Sequence, residues 1–409
     1  MDRPGYEVPF IIRPKMRLQG MPLTLFAYPA RTITNVHFKD LDLRSLDQVF
    51  LPRSMVDLLG ERPAGQRTFV EDDNRGAVSP EPVATLDGVG FHLSVKGVGS
   101  AIDPFSSRPL DRHYAAELTN DPEVRRRFST PTVDLPPEES DRLITGEVWL
   151  RGSPYGGQGM EHAQIALKVS ERAHLTSIEG FLIAPVVKIA LLPEPLQERI
   201  RTLHWYRKFH GPIVQELRLV PSNVRIYFHA KNTVGHDVAN VFDTFGIDTE
   251  EKAIGFEVNF LRSTMAMLTL FARTLRQDPE TSRYHGLDFH DVWLDKDAVL
   301  APTGSVYFVD LEGIEEEAVD GGGVAEKLED QVFRSLYEFT FAYEQMEQER
   351  CRRFGRVRAR KAHFEALLRE ALKDDPYLRP RNGPNGLEVE IRNALWDEAF
   401  FTTFPFVDL

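Results

Sequence analysis

Residues 282–313 read SRYHGLDFHDVWLDKDAVLAPTGSVYFVDLEG. A His-Gly pair, two closely spaced acids, a short polar turn and an apolar strand ending in Asp-Leu-Glu-Gly follow one another there, directly after a long apolar segment. The strand SVYFV would hold the backbone at Asp310 while its carboxylate faces a cleft. Asp288 and Asp291, shortly after His285, reach the same space from a loop. Carboxylates gathered in this way suit a metal–nucleotide site, where oxygen ligands hold Mg2+ and one acid positions the incoming nucleophile. Asp288, Asp291 and Asp295 also suit turns, because short acidic side chains bond their own backbone.

Working outward, the second half reads as helical. EKAIGFEVNFLRSTMAMLTLFARTLRQ, 251–277, is apolar on most sides, as a helix inside a lobe would be. A second long helix follows DGGG at 320–323, with Val332, Leu336, Phe339 and Tyr343 at helical spacing, and AHFEALLREALKD forms a third. The first half reads as mostly extended. In GVGFHLSVKGVGS, Phe91, Leu93 and Val95 alternate with His92, Ser94 and Lys96. GEVWLRG alternates again, and FLIAPVVKIALL and QELRLVPSNVRIYFHA are apolar, β-branched stretches suited to a sheet. MEHAQIALKVSERA is read as a helix, although Ile165, Leu167 and Val169 alternate as in a strand. LRSLDQVFLPRSMVDLLGE is read as a helix interrupted at Pro52, and the proline-rich 102–143 as an insertion. At 409 residues the chain suits one large two-lobed domain or two domains. The expected organisation is α+β: an N-terminal extension over 1–80, a β-rich lobe over 81–235, and a helical lobe over 236–409 carrying the hairpin 284–313.

A phosphate-binding cleft also needs a cation. Lys96 shares a strand face with Ser94 and precedes Gly97 and Gly99, where backbone N–H groups can approach phosphate oxygens. Arg151 ends the neighbouring strand in the same manner. Glu161, at the start of its helix, would hold Lys96 by an ion pair, or else complement the helix dipole. A rival reading takes GGQGMEHAQIALK as a glycine loop and strand, with Lys168 as the cation.

Charge excludes one class of function. A net charge of −13 and a pI near 5.5 argue against a dedicated nucleic-acid binder, which needs clustered Lys and Arg. The cationic run CRRFGRVRARKAHF, 351–364, reads as a solvated face or the last turn of a helix. Cys351 is the only cysteine, so an intrachain disulfide is impossible and a reducing compartment is expected. No cationic leader and no membrane-length apolar run is seen, and the expectation is a soluble cytoplasmic protein without membrane partners.

With these residues in view, the chain resembles the protein-kinase-like superfamily, and within it the selenoprotein O family most closely. VKGVGSAIDPFS is similar to that family's Lys-Gly-Ala-Gly stretch with its Pro-Phe/Tyr-Ser continuation. GEVWLRGS with the helix at Glu161 is similar to its Gly-Arg-Ala-Val-Leu-Arg-Ser strand and glutamate-bearing helix. HGLDFHDVW lines up with its His-Gly-Val-Met-Asn-Thr-Asp-Asn-Met loop. The short matches fall between residues 90 and 313. The resemblance implies a bilobal kinase-like fold with a nucleotide cleft, Asp291 as the catalytic aspartate and Asp310, with Asp291, as metal ligand. Val292 stands where the family has a metal-binding Asn, and the 102–143 insertion replaces its acidic glycine loop. An alignment in the manner of aminoglycoside phosphotransferases, with one residue inserted, puts Asp288 in the base position instead.

The expected function is therefore an ATP- and Mg2+- (or Mn2+-) dependent transferase moving a phosphoryl or adenylyl group to a hydroxyl acceptor on a protein or a small molecule. Two alternatives come from other classes. One is a pseudokinase scaffold, favoured by Val292. The other is a metal-dependent hydrolase using His285, His290 and Asp291.

Overall fold

The computed structural model describes residues 22–39, 46–51, 56, 62–72, 76–86, 88–98, 158–173, 176–202, 211–225, 241–289, 297–356, 359–384, 386–393 and 395–403. In the first half, β1 (Pro22–Pro29), β2 (Thr32–Thr34), β3 (Gln48–Leu51), β4 (Gly65–Asp72), β5 (Gly76–Leu86), β6 (Val89–Lys96) and β7 (Gln158–Gly159) lead into α1 (Met160–Arg172). Then come β8 (Ser177–Ile178), β9 (Phe181–Leu182), β10 (Val186–Leu191), α2 (Glu194–Thr202) and β11 (Ile213–Val220). The second half holds α3 (Val241–Thr244), α4 (Glu250–Leu268), α5 (Leu270–Thr274), β12 (Arg276–Gln277), β13 (Tyr284–Phe289), β14 (Ala298–Leu300), β15 (Val306–Phe308) and β16 (Ile314–Val319). It ends with α6 (Gly323–Phe354), α7 (Arg360–Leu372), β17 (Leu378–Gly383), β18 (Gly386–Asn393) and β19 (Trp396–Thr403).

Among the described residues the architecture is α+β, with one large antiparallel sheet and no barrel. Among the described residues this sheet has nine strands in the order β2-β10-β11-β6-β5-β4-β1-β3, with β7 on the end of β11. Strands from residues 22–72, placed by sequence in an extension packed on the lobe, are thus part of the sheet itself. QVFL, expected within a helix, is the strand β3: Val49, Phe50 and Leu51 are buried and pair with β1. Tertiary pairing overrides helical spacing here, and Gln215 of β11 bonds both the N–H and the C=O of Phe50, each at 2.8 Å. MEHAQIALKVSER is the helix α1, burying Ala163, Ala166, Leu167 and Val169.

The apolar core divides in two, and the hairpin β14–β15 lies between the parts. Ala298, Leu300, Val306 and Phe308 face the larger core, which joins α1 and part of β10 and β11 to the helices of the second half, while Val299, Ala301, Tyr307 and Val309 face the second core, within the sheet half. A strand buried on both faces reads as a continuous apolar run, which explains SVYFV. The turn of the hairpin is docked on α4. Gly304 has φ +93°, and a Cβ there would stand 2.2 Å from the carbonyl oxygen of Phe256, so only glycine fits. Ser263 of α4 accepts from Val306 N at 2.8 Å, and Asn259 Nδ2 donates to Thr303 O at 2.9 Å. The far end joins the sheet half through Ala184 N to Phe308 O at 2.8 Å and Leu300 N to Val224 O at 2.7 Å.

Two further differences from the sequence reading appear. The helix expected over 251–277 stops at Leu268, where Thr269 caps it before α5 begins. The C-terminal part, expected to be helical, contains the antiparallel sheet β17-β18-β19, whose alternation LEVEI buries Leu387, Val389 and Ile391. GEVWLRG and the 102–143 insertion lie outside the described residues.

Candidate active site

Alternation along two neighbouring strands builds one wall of the site. In β6, Phe91, Leu93 and Val95 enter the sheet core, which turns His92, Ser94 and Lys96 to the opposite face. β11 runs antiparallel beside it, with Glu216 opposite Lys96 and Arg218 opposite Ser94. Lys96, Glu216 and Arg218 thus share one face. Gly97 follows at φ +96°, a left-handed turn suited to glycine.

The hairpin supplies the other wall. After Phe308 the chain leaves β15, and Asp310 stands at the start of the short 3-10 turn Leu311–Gly313. Lys96 Nζ donates to Asp310 Oδ1 at 2.7 Å across 214 residues of sequence. The turn brings Glu312 back to the same ammonium, which also donates to Glu312 Oε1. The three side chains keep 11 %, 26 % and 15 % of their surface exposed, so the cluster is sheltered but open to solvent. Glu312 Oε2 is buried and has no hydrogen-bond donor among the described residues.

Other expected residues are placed differently. Glu161 is exposed in the first turn of α1, where it complements the helix dipole, and Lys96 is held by Asp310 and Glu312. Lys168 is exposed on a helix, which overturns the rival reading of a glycine loop and strand.

Asp288 is not a loop residue. It lies in β13 opposite Glu315, fully buried, with Lys327 on Oδ2 and Gln331 Nε2 donating to Oδ1 at 2.8 Å. Burial works against the Lys327 ammonium, but its bonds to Asp288 and Glu317 outweigh that and raise its pKa above the ordinary lysine value. A carboxylate so enclosed fastens α6 to β13 and is unsuited to meeting a substrate. His285 lies on the same strand, with Nδ1 3.6 Å from Glu316 Oε1. Asp291, His290, Gly99 and Arg151 fall outside the described residues. Among the described residues, no three of His, Cys, Asp and Glu cluster in a way that could hold a metal ion. Three cations of the run are engaged internally: Arg352 with Glu349 at 2.7 Å, Arg353 with Asp243 at 2.8 Å, and Arg360 with Glu347.

Sequence reasoning missed Glu312, Glu216, Arg218 and Gln158. Glu216 and Arg218 carry a usable signal, since charges two apart in the apolar strand IVQELRLV must share one face. Gln158 has no such signal; its Nε2 reaches Glu216 Oε2 at 2.6 Å from β7.

No described helix is long and apolar enough to cross a membrane. No protein-family model, curated protein or solved structure matches this chain.

Proposed function

We propose that this protein is a nucleotide-dependent transferase of bilobal, kinase-like design, moving a phosphoryl or adenylyl group from ATP to a hydroxyl acceptor. The observation that carries the reading is the meeting of Lys96 and Asp310 at 2.7 Å, a strand lysine and a post-hairpin aspartate drawn together from distant sequence. Kinases use this division of labour, with a strand lysine for phosphates and an aspartate after the hairpin for metal. The hairpin β14–β15, with one face in each of two apolar cores, supports a cleft where the sheet meets the helices.

The donor set fits Mg2+ (or Mn2+) with a nucleotide. Asp310 and Glu312 are hard oxygen ligands, and the buried, undonated Oε2 of Glu312 suits a cation. Two carboxylates suffice, because Mg2+ is commonly held by one or two together with phosphates and water. Mg2+-ATP, when bound, would supply the transferred group, with the metal offsetting phosphate charge. Lys96 would hold a phosphate oxygen, and Asp310 and Glu312 would hold the metal. Asp291, in the segment before β14, positions the acceptor hydroxyl. Catalysis rests on placement and fixed charge in a sheltered cleft.

Calorimetric titration with ATP and Mg2+ tests this. Wild type should bind in a metal-dependent manner, Lys96→Met should lose most of that affinity, and Asp291→Asn should bind but not turn over. Products labelled from α- or γ-labelled ATP then distinguish adenylyl from phosphoryl transfer. Absence of binding to wild type would refute the transferase. That result would favour the pseudokinase scaffold, for which Val292 at the usual Asn position speaks.

A further inference from the structure

Glu216 and Arg218 are charged yet almost wholly buried, at 0 % and 4 % exposure, in a strand whose other residues are mostly apolar. A buried ion pair is a weak source of stability, because desolvating both charges offsets their attraction and apolar side chains of similar volume serve as well. The pair therefore calls for another reason, and its contacts supply one. Arg218 Nε donates to Glu216, while Nη1 donates to the carbonyl of Val309, the residue before Asp310. Glu216 is itself held from β7, its other oxygen accepting from Gln158 Nε2 at 2.6 Å. Arg218 Nη2 is buried and meets no acceptor among the described residues. The guanidinium thus spans from the sheet to the backbone that presents Asp310, anchored at one end by a doubly held carboxylate. A planar fork can serve both acceptors at once, which a lysine ammonium on a flexible stem does less well.

We propose that Arg218, fixed by Glu216 and Gln158, is a positioning residue that sets the backbone at Val309–Asp310 so that Asp310 can take a divalent cation. This rests on the nucleotide–metal reading of the site. Arg218 touches neither nucleotide nor metal; it acts through Asp310, and its influence should appear in the metal dependence of binding and not in nucleotide binding as such.

The experiment is calorimetric titration of the full chain with ATP, with and without Mg2+, for wild type, Arg218→Met and Arg218→Lys. Loss of an outer partner of a metal ligand typically weakens metal affinity about 10- to 100-fold, and Arg218→Met should lose Mg2+-dependent affinity on that scale while binding metal-free ATP as wild type does. Arg218→Lys, able to keep one of the two bonds, should retain part of the gain. Arg218→Met that folds and keeps the full Mg2+-dependent gain would overturn the proposal. If Arg218→Met does not fold, Arg218→Lys decides, with a full gain against the proposal and a partial gain for it. A wild type showing no Mg2+-dependent gain would instead overturn the nucleotide reading of the site, so the two failures are distinguishable.

Discussion

Where the sheet meets the hairpin, Lys96, Asp310 and Glu312 keep 11 %, 26 % and 15 % of their side chains exposed; among the helices, Glu257 of α4 and Arg350 of α6 keep none. Both clusters join elements far apart in sequence through ion pairs. Arg350 Nε meets Glu257 at 2.8 Å, with Glu347 and Tyr343 of α6 and His363 of α7 around it. Burial pushes the Glu257 carboxyl up to about 7 in spite of Arg350. Burial, aided by Arg350, pushes His363 down to about 4. The difference in access separates two uses of the same chemistry. Charges that no solute can reach act on the packing of helices, whereas charges open to solvent can exchange a partner for a ligand.

The largest expected effect tests the closed cluster. Arg350→Met leaves Glu257 buried without its cation and should cost about 3–5 kcal/mol in urea unfolding, while any remaining folded protein binds Mg2+-ATP normally. Lys96→Met should show the reverse. Its carboxylate partners retain contact with water, so the stability loss should be smaller, about 1–2 kcal/mol, yet Mg2+-ATP binding should be lost. Equal destabilisation by both variants would erase the distinction.

The pH dependence sharpens the comparison. Glu257 has a folded pKa near 7, above its ordinary 4.5, so its contribution is full below 4.5 and is lost as pH rises through 7. His363 has a folded pKa near 4, below its ordinary 6.5, so its contribution is full above 6.5 and is lost as pH falls through 4. Between about pH 4.5 and 6.5 the two oppose each other. Glu257→Gln should therefore make stability fall on acidification in that window, and His363→Gln should make it rise, as measured by urea unfolding across the range. The smallest effect is expected at Glu161, whose exposed carboxylate makes Glu161→Gln neutral within about 0.5 kcal/mol and without effect on nucleotide affinity by calorimetry.

How much of this was readable beforehand depended on whether local pattern and tertiary contact agreed. The alternation around Lys96 and the unbroken apolar run before Asp310 are local signals of burial, and both identified residues that meet in the folded chain. Glu312 was missed because its role depends on a turn that returns it to Lys96, which spacing alone does not specify. Asp288 looked like a turn acid beside His285, but β13 pairs with the later strand β16, and Lys327 and Gln331 approach from α6. QVFL failed for the same reason, since its partners are β1 and Gln215. Gln158 has no local pattern at all, and its place is set by β7 ending against β11.

The most direct test of the central claim is a thermal-shift titration with Mg2+-ATP on wild type, Asp310→Asn and Glu257→Gln, since a ligand that binds only the folded state raises the melting temperature by mass action. A metal-dependent rise is expected in wild type, the same rise from a different baseline in Glu257→Gln, and none in Asp310→Asn. A wild type that does not respond, or an Asp310→Asn protein that responds as wild type does, would contradict that claim.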